Sequence, residues 1–395
     1  MKILQINTFG NLSTGKIAAD LSRTLRDNGH DSLVAFTRNA IAKDIHHIQF
    51  GSIWSVYADG IMTRFTDKAG FYSKLPTRKL IERIIDYNPD IIHLHNLHGY
   101  YINIELLFNF LREYNKPVIW TLHDCWSFTG HCCNFEFIGC MKWKTGCQNC
   151  EQRNRYPASL YKDNCVWNFR TKRNLFTSIG KMVLVSPSQW MKNLAMQSYM
   201  GKYPIEVIRN GVDLDTFKPV HGDWVKRNNL IGKKIVLGVA GTWDSRKGLA
   251  DIIKLSNILP DDYKTVVVGL TKKQKKQIPG NILGIERTYD SRELAEVYSA
   301  AHIFVNPTYE DNFPSVNLEA LACGTPVLMY RTGGGPEIIT DQIGAVIPQG
   351  DIEAMKSKIL SMKTAKYNCN KITRNFDRSR CYKEYLKLYQ KVLSD

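Results

Sequence analysis

The chain has 395 residues, of which 44% are hydrophobic and 23% charged, a composition typical of folded globular proteins and not of fibres or disordered tails. Its length exceeds what a single hydrophobic core usually organises, so two domains are expected. Lysine and arginine total 53 against 37 acidic residues, and the net charge of +16 favours anionic partners such as nucleotides, nucleic acids or phospholipid surfaces.

The sequence carries no signal for export or for crossing a membrane. No stretch reaches the about 18 consecutive apolar residues that a spanning helix requires. The N-terminal run MKILQINTFG is too weakly apolar for a signal peptide. A cytoplasmic location is therefore expected, with peripheral attachment to the inner face of the plasma membrane as a further expectation. The ten cysteines should be mostly thiols, so a cluster of them indicates a metal before a disulfide.

Short apolar runs alternate with helical patterns through the first half of the chain. Lys2–Ile6 predicts a buried strand, followed by a loop with Gly10 and Gly15 and an amphipathic helix. The loop forms neither a dinucleotide fingerprint nor a P-loop, and it is as typical of a plain turn as of a ligand loop. Further strands are predicted at 32–36, 91–94, 118–122 and 182–186. The alternation predicts a parallel sheet with helices on both faces.

Residues 54–83 mix aromatic and basic side chains. The aromatic residues are Trp54, Tyr57, Phe65, Phe71 and Tyr72, and the basic ones are Arg64, Lys68, Lys74, Arg78 and Lys79. Such a mixture suits a membrane interface or a lipid-linked acceptor. It also suits a core helix with a solvated basic face, which is the favoured interpretation because the aromatic residues follow no clean helical period.

Histidines follow two neighbouring predicted strands. His93, His95 and His98 lie in and just after one of them, and His123 with Asp124 follows the other. Three nearby histidines can bind zinc, but alternation of His93 and His95 along one strand face is more typical of core or hydrogen-bonding residues, so a catalytic metal is not expected there. At a carboxyl end of a parallel strand, His123 is the better active-site candidate.

A cysteine-rich insertion occupies residues 125–150. Four of its cysteines have the spacing C-x7-C-x6-C-x2-C, whose last pair resembles a zinc knuckle: Cys132, Cys140, Cys147 and Cys150. Thiolate ligation of a structural zinc ion would suit an insertion that lacks its own core, and reduced packing thiols are the alternative. Cys133 could replace Cys132, and Cys125 and His131 are further substitutes. The metal would hold the loop near His123 and would take no part in catalysis.

A turn signal marks the boundary between the two expected domains. The run 205–217 ends a strand in Asn-Gly and is followed by a polar stretch. Asp213 and Asp215 form a D-x-D, for which capping or interdomain contacts are favoured over metal binding in this turn. The expected organisation is a first domain at 1–217, a second at 218–375 and a C-terminal helical segment at 376–395.

The second domain begins with a strand at 234–240, followed by a glycine, the pair Arg246 and Lys247, and a helix. Cations at a helix N-terminus oppose the helix dipole, so their presence indicates an anion such as a pyrophosphate between them. Strands are also predicted at 265–269 and 302–307, and the glycine-rich stretch at 332–339 precedes a helix. That stretch fits either close backbone approach to a ligand or a tight turn.

The stretch after the strand at 302–307 combines carboxylates, a proline and a helix predicted at 316–322. Helix N-termini bind phosphate, and Glu319 lies about one turn into the helix, where it can accept two hydrogen bonds from vicinal hydroxyls. Taken alone the stretch is equally a surface loop with ordinary capping acids.

Together these segments resemble the GT-B glycosyltransferases of family four, in particular the group linked to colanic-acid and exopolysaccharide synthesis. The resemblance runs along the whole chain, and the order and spacing of its pieces carry it. The pieces are STGKIAADL, HLHNLHGYY, TLHDCWSFTGHC with the cysteine cluster, IRNGVDLDTF, GTWDSRKGL, PTYEDNFPSVNLEALACGTPV and TGGGPEII.

The resemblance implies an α/β fold of two Rossmann-like domains, each with a parallel sheet and helices on both faces, and a cleft between the domains. The C-terminal segment at 376–395 would cross back to the first domain. The implied reaction is metal-independent transfer from a nucleotide sugar with retention of anomeric configuration, so no cofactor is expected for catalysis. Cations would stabilise the leaving nucleotide diphosphate while domain closure excludes water.

The resemblance also assigns roles to single residues. Arg246 and Lys247 would hold the donor pyrophosphate, and Glu319 the ribose hydroxyls. Asp311 would take the first acid position of the E-x7-E motif and touch the donor sugar, with Glu310 beside it one residue out of register. From the first domain, Gly15 would approach the phosphates and His123 would lie near the transferred sugar.

The sequence departs from the family pattern at three points. Thr242 stands where an arginine is usual, so Arg246 would act from another angle. Pro314 replaces a common glycine and removes an N–H, which leaves the amides of Ser315 and Val316 as the expected donors to the sugar. The first acid, Asp311, is one methylene shorter than glutamate, which should affect the preferred sugar.

The expected partners are a UDP- or GDP-sugar donor, a glycan or lipid-linked acceptor, and an anionic membrane surface. An epimerase or phosphorylase of the same fold is the first alternative. A zinc-containing nucleic-acid-binding protein is the second, but the basic residues are scattered and the cysteines do not form two C-x2-C pairs, so no nucleic acid is expected.

Overall fold

The computed structural model describes residues 1–362 and 373–394. The chain forms two compact units, one of Met1–Arg209 together with Tyr382–Asp395 and the other of Asn210–Cys381. Residues 363–372, which fall within the second domain expected from the sequence, lie outside the described residues. Each unit has one parallel sheet, so the predicted Rossmann-like α/β fold is confirmed.

The first unit is built on a seven-stranded parallel sheet in the order β3-β2-β1-β4-β5-β6-β7. Its strands are β1 (Lys2–Ile6), β2 (Asp31–Phe36), β3 (His47–Gln49), β4 (Ile91–Leu94), β5 (Val118–Thr121), β6 (Met182–Ser186) and β7 (Ile205–Val207). The central strands are almost entirely buried and rich in Ile, Val and Leu, as strands covered on both faces require. Every predicted strand of this unit is present, whereas the three-residue β3 was not predicted because it has no apolar run.

Helices connect these strands. They are α1 (Thr14–Asp27), α2 (Ile53–Thr66), α3 (Lys74–Tyr87), α4 (Ile104–Tyr114), α5 (Cys165–Phe176) and α6 (Gln189–Met196). The first unit also holds most of the last helix of the chain, from Tyr382 onward. There Tyr385 and Tyr389 are buried, and both lie against the ring of His93.

The second unit has a six-stranded parallel sheet in the order β10-β9-β8-β11-β12-β13. Its strands are β8 (Lys234–Val239), β9 (Tyr263–Val268), β10 (Ile282–Ile285), β11 (Ile303–Asn306), β12 (Val327–Tyr330) and β13 (Gly344–Ile347). Its helices are α7 (Trp224–Arg227), α8 (Leu249–Ile258), α9 (Lys272–Gln277), α10 (Ser291–Ala300), α11 (Ser315–Ala322) and α12 (Ile352–Ser361), and α13 (Arg378–Ser394) begins in this unit. The turn at Asp213 is capped as expected, because its carboxylate accepts from the amide of Asp215 and lies 3.1 Å from Arg378 Nη1.

The favoured interpretation of residues 54–83 as core is wrong for the first half of that segment. Trp54, Tyr57, Ile61 and Phe65 form one face of α2, and all four are more than half exposed. The sequence pattern did not distinguish this exposed face from the second part of the segment, where Phe71 and the residues around it, outside the helix, are buried. Among the described helices, none has the length and hydropathy needed to cross a bilayer.

Candidate active site

In the second unit, Arg246 lies in the loop before α8 and is surrounded by carboxylates. Its guanidinium donates to Asp244 Oδ2 at 2.7 and 3.1 Å, and its Nη1 lies 3.6 Å from Glu310 Oε2. Burial acts to lower the pKa of Arg246, but Asp244 and Glu310 outweigh it and raise the pKa. The structure therefore brings Arg246 and Glu310, both predicted donor-binding residues, into one charged cluster.

Lys247 belongs to the same cluster. Its Nζ donates to Asp311 Oδ2 at 2.6 Å, and both side chains are about a quarter exposed. An ammonium group held on a partly accessible carboxylate can be released to a more highly charged anion such as a diphosphate. The predicted phosphate-binding lysine and the predicted sugar-binding acid are thus direct neighbours.

The loop that carries Glu310 and Asp311 is held by backbone contacts. The amide of Tyr309 donates to Arg246 O at 2.7 Å, and the amide of Gly334 donates to Asn312 O at 2.9 Å. Gly333 has a φ of +53°, and a Cβ placed there would lie 1.7 Å from Asp311 O. The glycine-rich stretch therefore packs closely against the acid loop and supports it, and its approach to a ligand stays a prediction.

Two tyrosines that the sequence gave no reason to single out position these acids. Tyr298 is fully buried, and its hydroxyl donates to Glu319 Oε2 at 3.2 Å. Burial first, and then the Glu319 carboxylate, raise the pKa of Tyr298. Tyr309 donates to Asp251 Oδ2 at 2.5 Å, which anchors the start of the acid loop to α8. Neither residue was predicted, because the sequence pattern of a tyrosine that packs in the core is the same as that of one that orients a carboxylate.

Helix α11 begins directly after Pro314 and presents its first residues to solvent. Ser315 is exposed and Val316 half-buried, whereas Asn317 is fully buried and its side-chain oxygen accepts from Asn306 at 2.8 Å. Glu319 is half-buried one turn into the helix. Glu319, Ser315 and Val316 therefore share the N-terminal part of one helix, as the prediction requires.

In the first unit, Gly15 lies at the start of α1. A Cβ at this position would lie 2.5 Å from Phe9 O and 2.9 Å from the carbonyl carbon of Gly10, so only glycine allows the helix to begin so close to the preceding loop. This packing role accounts for a glycine here whether or not a phosphate approaches it.

His123 belongs to a chain of three neighbouring imidazoles, with His93 and His95, at the carboxyl ends of β4 and β5. His95 Nδ1 lies 2.9 Å from His123 Nε2, and His95 Nε2 lies 3.1 Å from Gln5 Oε1. His93 is bound on both ring nitrogens, by Tyr389 at 2.7 Å and Thr121 at 2.8 Å. Burial lowers the pKa of His123 to about 4 and that of His93 to about 3. His123 is therefore a neutral imidazole at physiological pH, suited to hydrogen bonding and not to holding a positive charge.

The cysteine-rich insertion packs onto the core of the first unit. Phe128, Phe135 and Trp143 are buried together in that core, so the insertion shares the core of the first unit. None of the nine described cysteines forms a disulfide. A hydrogen bond from Cys132 lowers the pKa of the Cys150 thiol to about 7, and Gly130 N–H donates to Cys147 Sγ at 3.1 Å.

Of the four predicted zinc ligands, Cys132 and Cys150 are joined by a hydrogen bond. Zn–S bonds of about 2.3 Å in a tetrahedral site place the sulfurs about 3.8 Å apart. Within residues 1–362 and 373–394, one group brings three ligand atoms within 4.8 Å of one another, and its members are His98, Asp124 and Cys133. The zinc site at Cys132, Cys140, Cys147 and Cys150 stays a prediction.

Family models account for nearly the whole chain. Residues 14–216, more than half of it, match the model for Glycosyltransferase Family 4, and residues 222–378 match that for Glycosyl transferases group 1. The chain belongs to the family 4 glycosyltransferases of the GT-B type. The resemblance drawn from the sequence is confirmed, and so is the prediction of an enzyme that transfers glycosyl groups.

Relatives of this glycosyltransferase include WcaC of Escherichia coli (strain K12), named for colanic acid biosynthesis, which is 28% identical over 273 residues. The match covers 67% of this chain and 65% of WcaC. A D-inositol 3-phosphate glycosyltransferase of Mycobacterium sp. (strain JLS) is 32% identical over 164 residues, covering 38% of this chain and 37% of that protein. The chain thus spans less than two thirds of the length of these relatives.

Solved structures share the fold along the full length of this glycosyltransferase. Sucrose-phosphate synthase from Thermosynechococcus elongatus has a TM-score of 0.71 at 17% identity, covering 100% of this chain and 99% of the other. Anabaena HepE in complex with UDP and glucose has a TM-score of 0.69 at 14% identity, covering 99% and 100%. At these identities the likeness establishes the fold alone.

Proposed function

We propose that this glycosyltransferase moves a sugar from a UDP- or GDP-linked donor to a glycan or lipid-linked acceptor in the synthesis of a cell-surface polysaccharide. Transfer would proceed with retention of anomeric configuration and without a metal ion in the chemical step. The observation that carries the proposal is the contact of Lys247 with Asp311 beside the Arg246–Glu310 pair. The relative named for colanic acid biosynthesis supports the polysaccharide role, and neighbours solved with UDP and UDP-glucose support the donor class.

The charged cluster suits a donor diphosphate because it places two cations, Arg246 and Lys247, next to each other. Each of them is held by a carboxylate partner. Arg246 and Lys247 would turn from Asp244 and Asp311 to the diphosphate and stabilise the charge that develops on the leaving group. Asp311, relieved of its lysine, could then accept a hydrogen bond from a sugar hydroxyl.

Glu319 would bind the ribose, since a carboxylate can accept from two vicinal hydroxyls at once. The hydroxyl of Tyr298, which donates to one Glu319 oxygen, would hold the carboxylate in position for this contact. The amides of Ser315 and Val316 and the backbone near Gly15 would complete the donor contacts. His123 would act beside the transferred sugar as a neutral hydrogen-bonding group, consistent with its lowered pKa.

Calorimetric titration of the purified chain with UDP, GDP and their common sugar conjugates tests the donor class. Anomeric analysis of the product by NMR then tests retention. Glu319→Ala should lose nucleotide affinity and transfer together, because the ribose contact holds the donor in place. Wild-type activity in this variant would contradict the assignment, and release of an altered sugar nucleotide from donor alone would favour an epimerase.

We also propose that the exposed face of α2 docks on an anionic membrane, where a lipid-linked acceptor would be found. Trp54 is 77% exposed, and Phe65 stacks on the exposed ring of Tyr161 with centroids 5.3 Å apart. Monomeric proteins rarely leave a contiguous apolar face of this kind uncovered, and basic residues such as Arg64 and Lys68 lie beside it. The cytoplasmic location remains a prediction that accompanies this proposal.

Flotation with phosphatidylglycerol vesicles tests the membrane surface. The double variant Trp54→Ser, Phe65→Ser should bind these vesicles several-fold more weakly than wild type. Met196→Ser serves as the matched control because Met196 is also exposed but lies in α6. Equal flotation of the wild-type protein with neutral phosphatidylcholine vesicles would contradict attraction to anionic lipid.

A structural zinc ion at Cys132, Cys140, Cys147 and Cys150 completes the proposal. The Cys132–Cys150 hydrogen bond and the amide bonded to Cys147 support it, because ligand sulfurs in zinc sites commonly accept backbone N–H groups. The fully buried Lys172, whose Nζ donates to Trp126 O at 2.6 Å, would offset the negative charge of such a site. Metal analysis of the purified protein tests for the ion.

A further inference from the structure

Three metal-binding side chains from separate segments meet beside the imidazole chain of the first unit. His98 follows β4, Asp124 follows β5, and Cys133 belongs to the cysteine-rich insertion. Their ligand atoms all lie within 4.8 Å of one another, and His98 and Cys133 are buried. The sequence argument against a metal concerned His93 and His95, which alternate along one strand face, and it does not extend to His98, which lies beyond the end of β4.

Two members of this group, His98 and Asp124, are in direct contact. His98 Nε2 and Asp124 Oδ2 are 2.6 Å apart. The hydroxyl of Tyr156 donates to His98 O at 3.2 Å and lies 3.1 Å from His98 Nδ1. Nε2 and Oδ2 are both ligand atoms for a metal ion, and a bound ion would replace their direct contact.

The surrounding contacts orient the three ligands as outer partners do in metal sites. Tyr156 fixes the ring of His98, and Trp126 N–H donates to the second oxygen of Asp124 at 2.9 Å. The amide of Cys125 fixes the backbone of Cys133 at 2.8 Å. Ser127 Oγ is buried without a hydrogen-bond partner among the described residues, and it lines the same small cavity as His98 and Asp124. These contacts hold the side chains of His98 and Asp124 and the backbone of Cys133 in place.

The donor set selects the class of metal. A thiolate with an imidazole is unfavourable for Mg²⁺ or Ca²⁺, which prefer oxygen ligands. Sulfur, nitrogen and oxygen together suit Zn²⁺, and three protein ligands leave a fourth position for water. The site is separate from the four-cysteine set, because it uses Cys133 and not Cys132.

We propose that His98, Asp124 and Cys133 form a Zn²⁺ site that ties the loops after β4 and β5 to the cysteine-rich insertion next to His123. The ion supports the position of Asp124, the neighbour of His123, and no step of glycosyl transfer passes through it. The site stands on the first unit alone and does not depend on the proposed donor or acceptor.

Titration of the metal-free, reduced full chain with Co²⁺ tests the site, since thiolate ligation produces a charge-transfer absorption. We expect such a band, displaced by equimolar Zn²⁺. Cys132→Ser should leave part of the band intact, and Cys133→Ser should abolish that part. Tyr156→Phe should weaken Co²⁺ affinity about 10- to 100-fold, as loss of an outer partner does. Cys323→Ser, a buried thiol of the second unit, is the matched control and should change nothing.

Two outcomes would overturn the proposal. One is a wild-type protein without any thiolate band, and the other is a band removed by Cys132→Ser but retained by Cys133→Ser, which would assign all bound metal to the four cysteines. Circular dichroism of each metal-free variant shows whether it is folded. Were Cys133→Ser unfolded, His98→Gln would decide, because it keeps every thiol yet should lower the affinity of the one-thiolate component at least about tenfold.

Discussion

Replacing Lys247 by alanine tests the donor site most directly. The Lys247–Asp311 pair is about a quarter exposed, so its own contribution to folding should be about 1 kcal/mol or less. A charge-assisted hydrogen bond to a diphosphate contributes about 1.5–3 kcal/mol. Lys247→Ala should therefore weaken UDP or GDP binding by about 2 kcal/mol, roughly 30-fold, while the protein stays folded.

The partner variant sharpens the test. Asp311→Asn removes the carboxylate that competes for Lys247, so nucleotide diphosphate binding should be unchanged or tighter while sugar transfer falls. Lys254→Ala is the matched control, because Lys254 is 68% exposed and lies 3.6 Å from Asp251 in the same unit. Isothermal titration calorimetry at constant ionic strength measures all three. If Lys247→Ala bound nucleotide as tightly as Lys254→Ala, Lys247 would not contact the diphosphate.

Two further predictions concern the acid loop and the buried imidazoles. Gly333→Ala should displace the loop at Asp311 and weaken donor binding more than about tenfold, since its Cβ would overlap Asp311 O, whereas Gly280→Ala, which has open space, should not. Burial lowers the pKa of His93 to about 3, so the unfolded chain, with its ordinary histidine pKa, binds a proton first as the pH falls. Above pH 6.5 this difference in proton binding does not reduce the free energy of unfolding. At pH 4 it should lower that free energy, measured by urea unfolding, by about 3 kcal/mol. A His93→Phe variant with the same pH dependence as wild type would contradict it.

Much of the fold could be predicted from apolar runs. Strands such as Lys2–Ile6 and Met182–Ser186 are buried on both faces, so continuous runs of apolar residues identify them without reference to neighbours. The aromatic residues of α2 could not be placed in this way. Whether Trp54 is buried depends on what the rest of the chain packs against it, and hydrophobicity alone predicts burial that the tertiary structure does not provide.

The candidate site was predictable in its members but not in its contacts. The spacing of Asp311 and Glu319 and the position of Arg246 and Lys247 before a helix are local features, and the family resemblance assigned them roles. The sequence could not indicate that Lys247 binds Asp311 across 64 residues, or that Tyr298 orients Glu319. Such pairs depend on how loops from different strands meet at one sheet edge.

By itself the sequence determined the α/β class, the strand order along the chain and the glycosyltransferase family, because period, turn residues and motif spacing are all local along the chain. Only the tertiary structure decided the partners of each charged group. It separated His98 from His93 and His95, and Cys133 from Cys132, although the members of each set lie close together in sequence. The physical reason is that a metal or a proton responds to donor atoms within a few ångströms, and those distances are set by the packing of segments far apart in the chain.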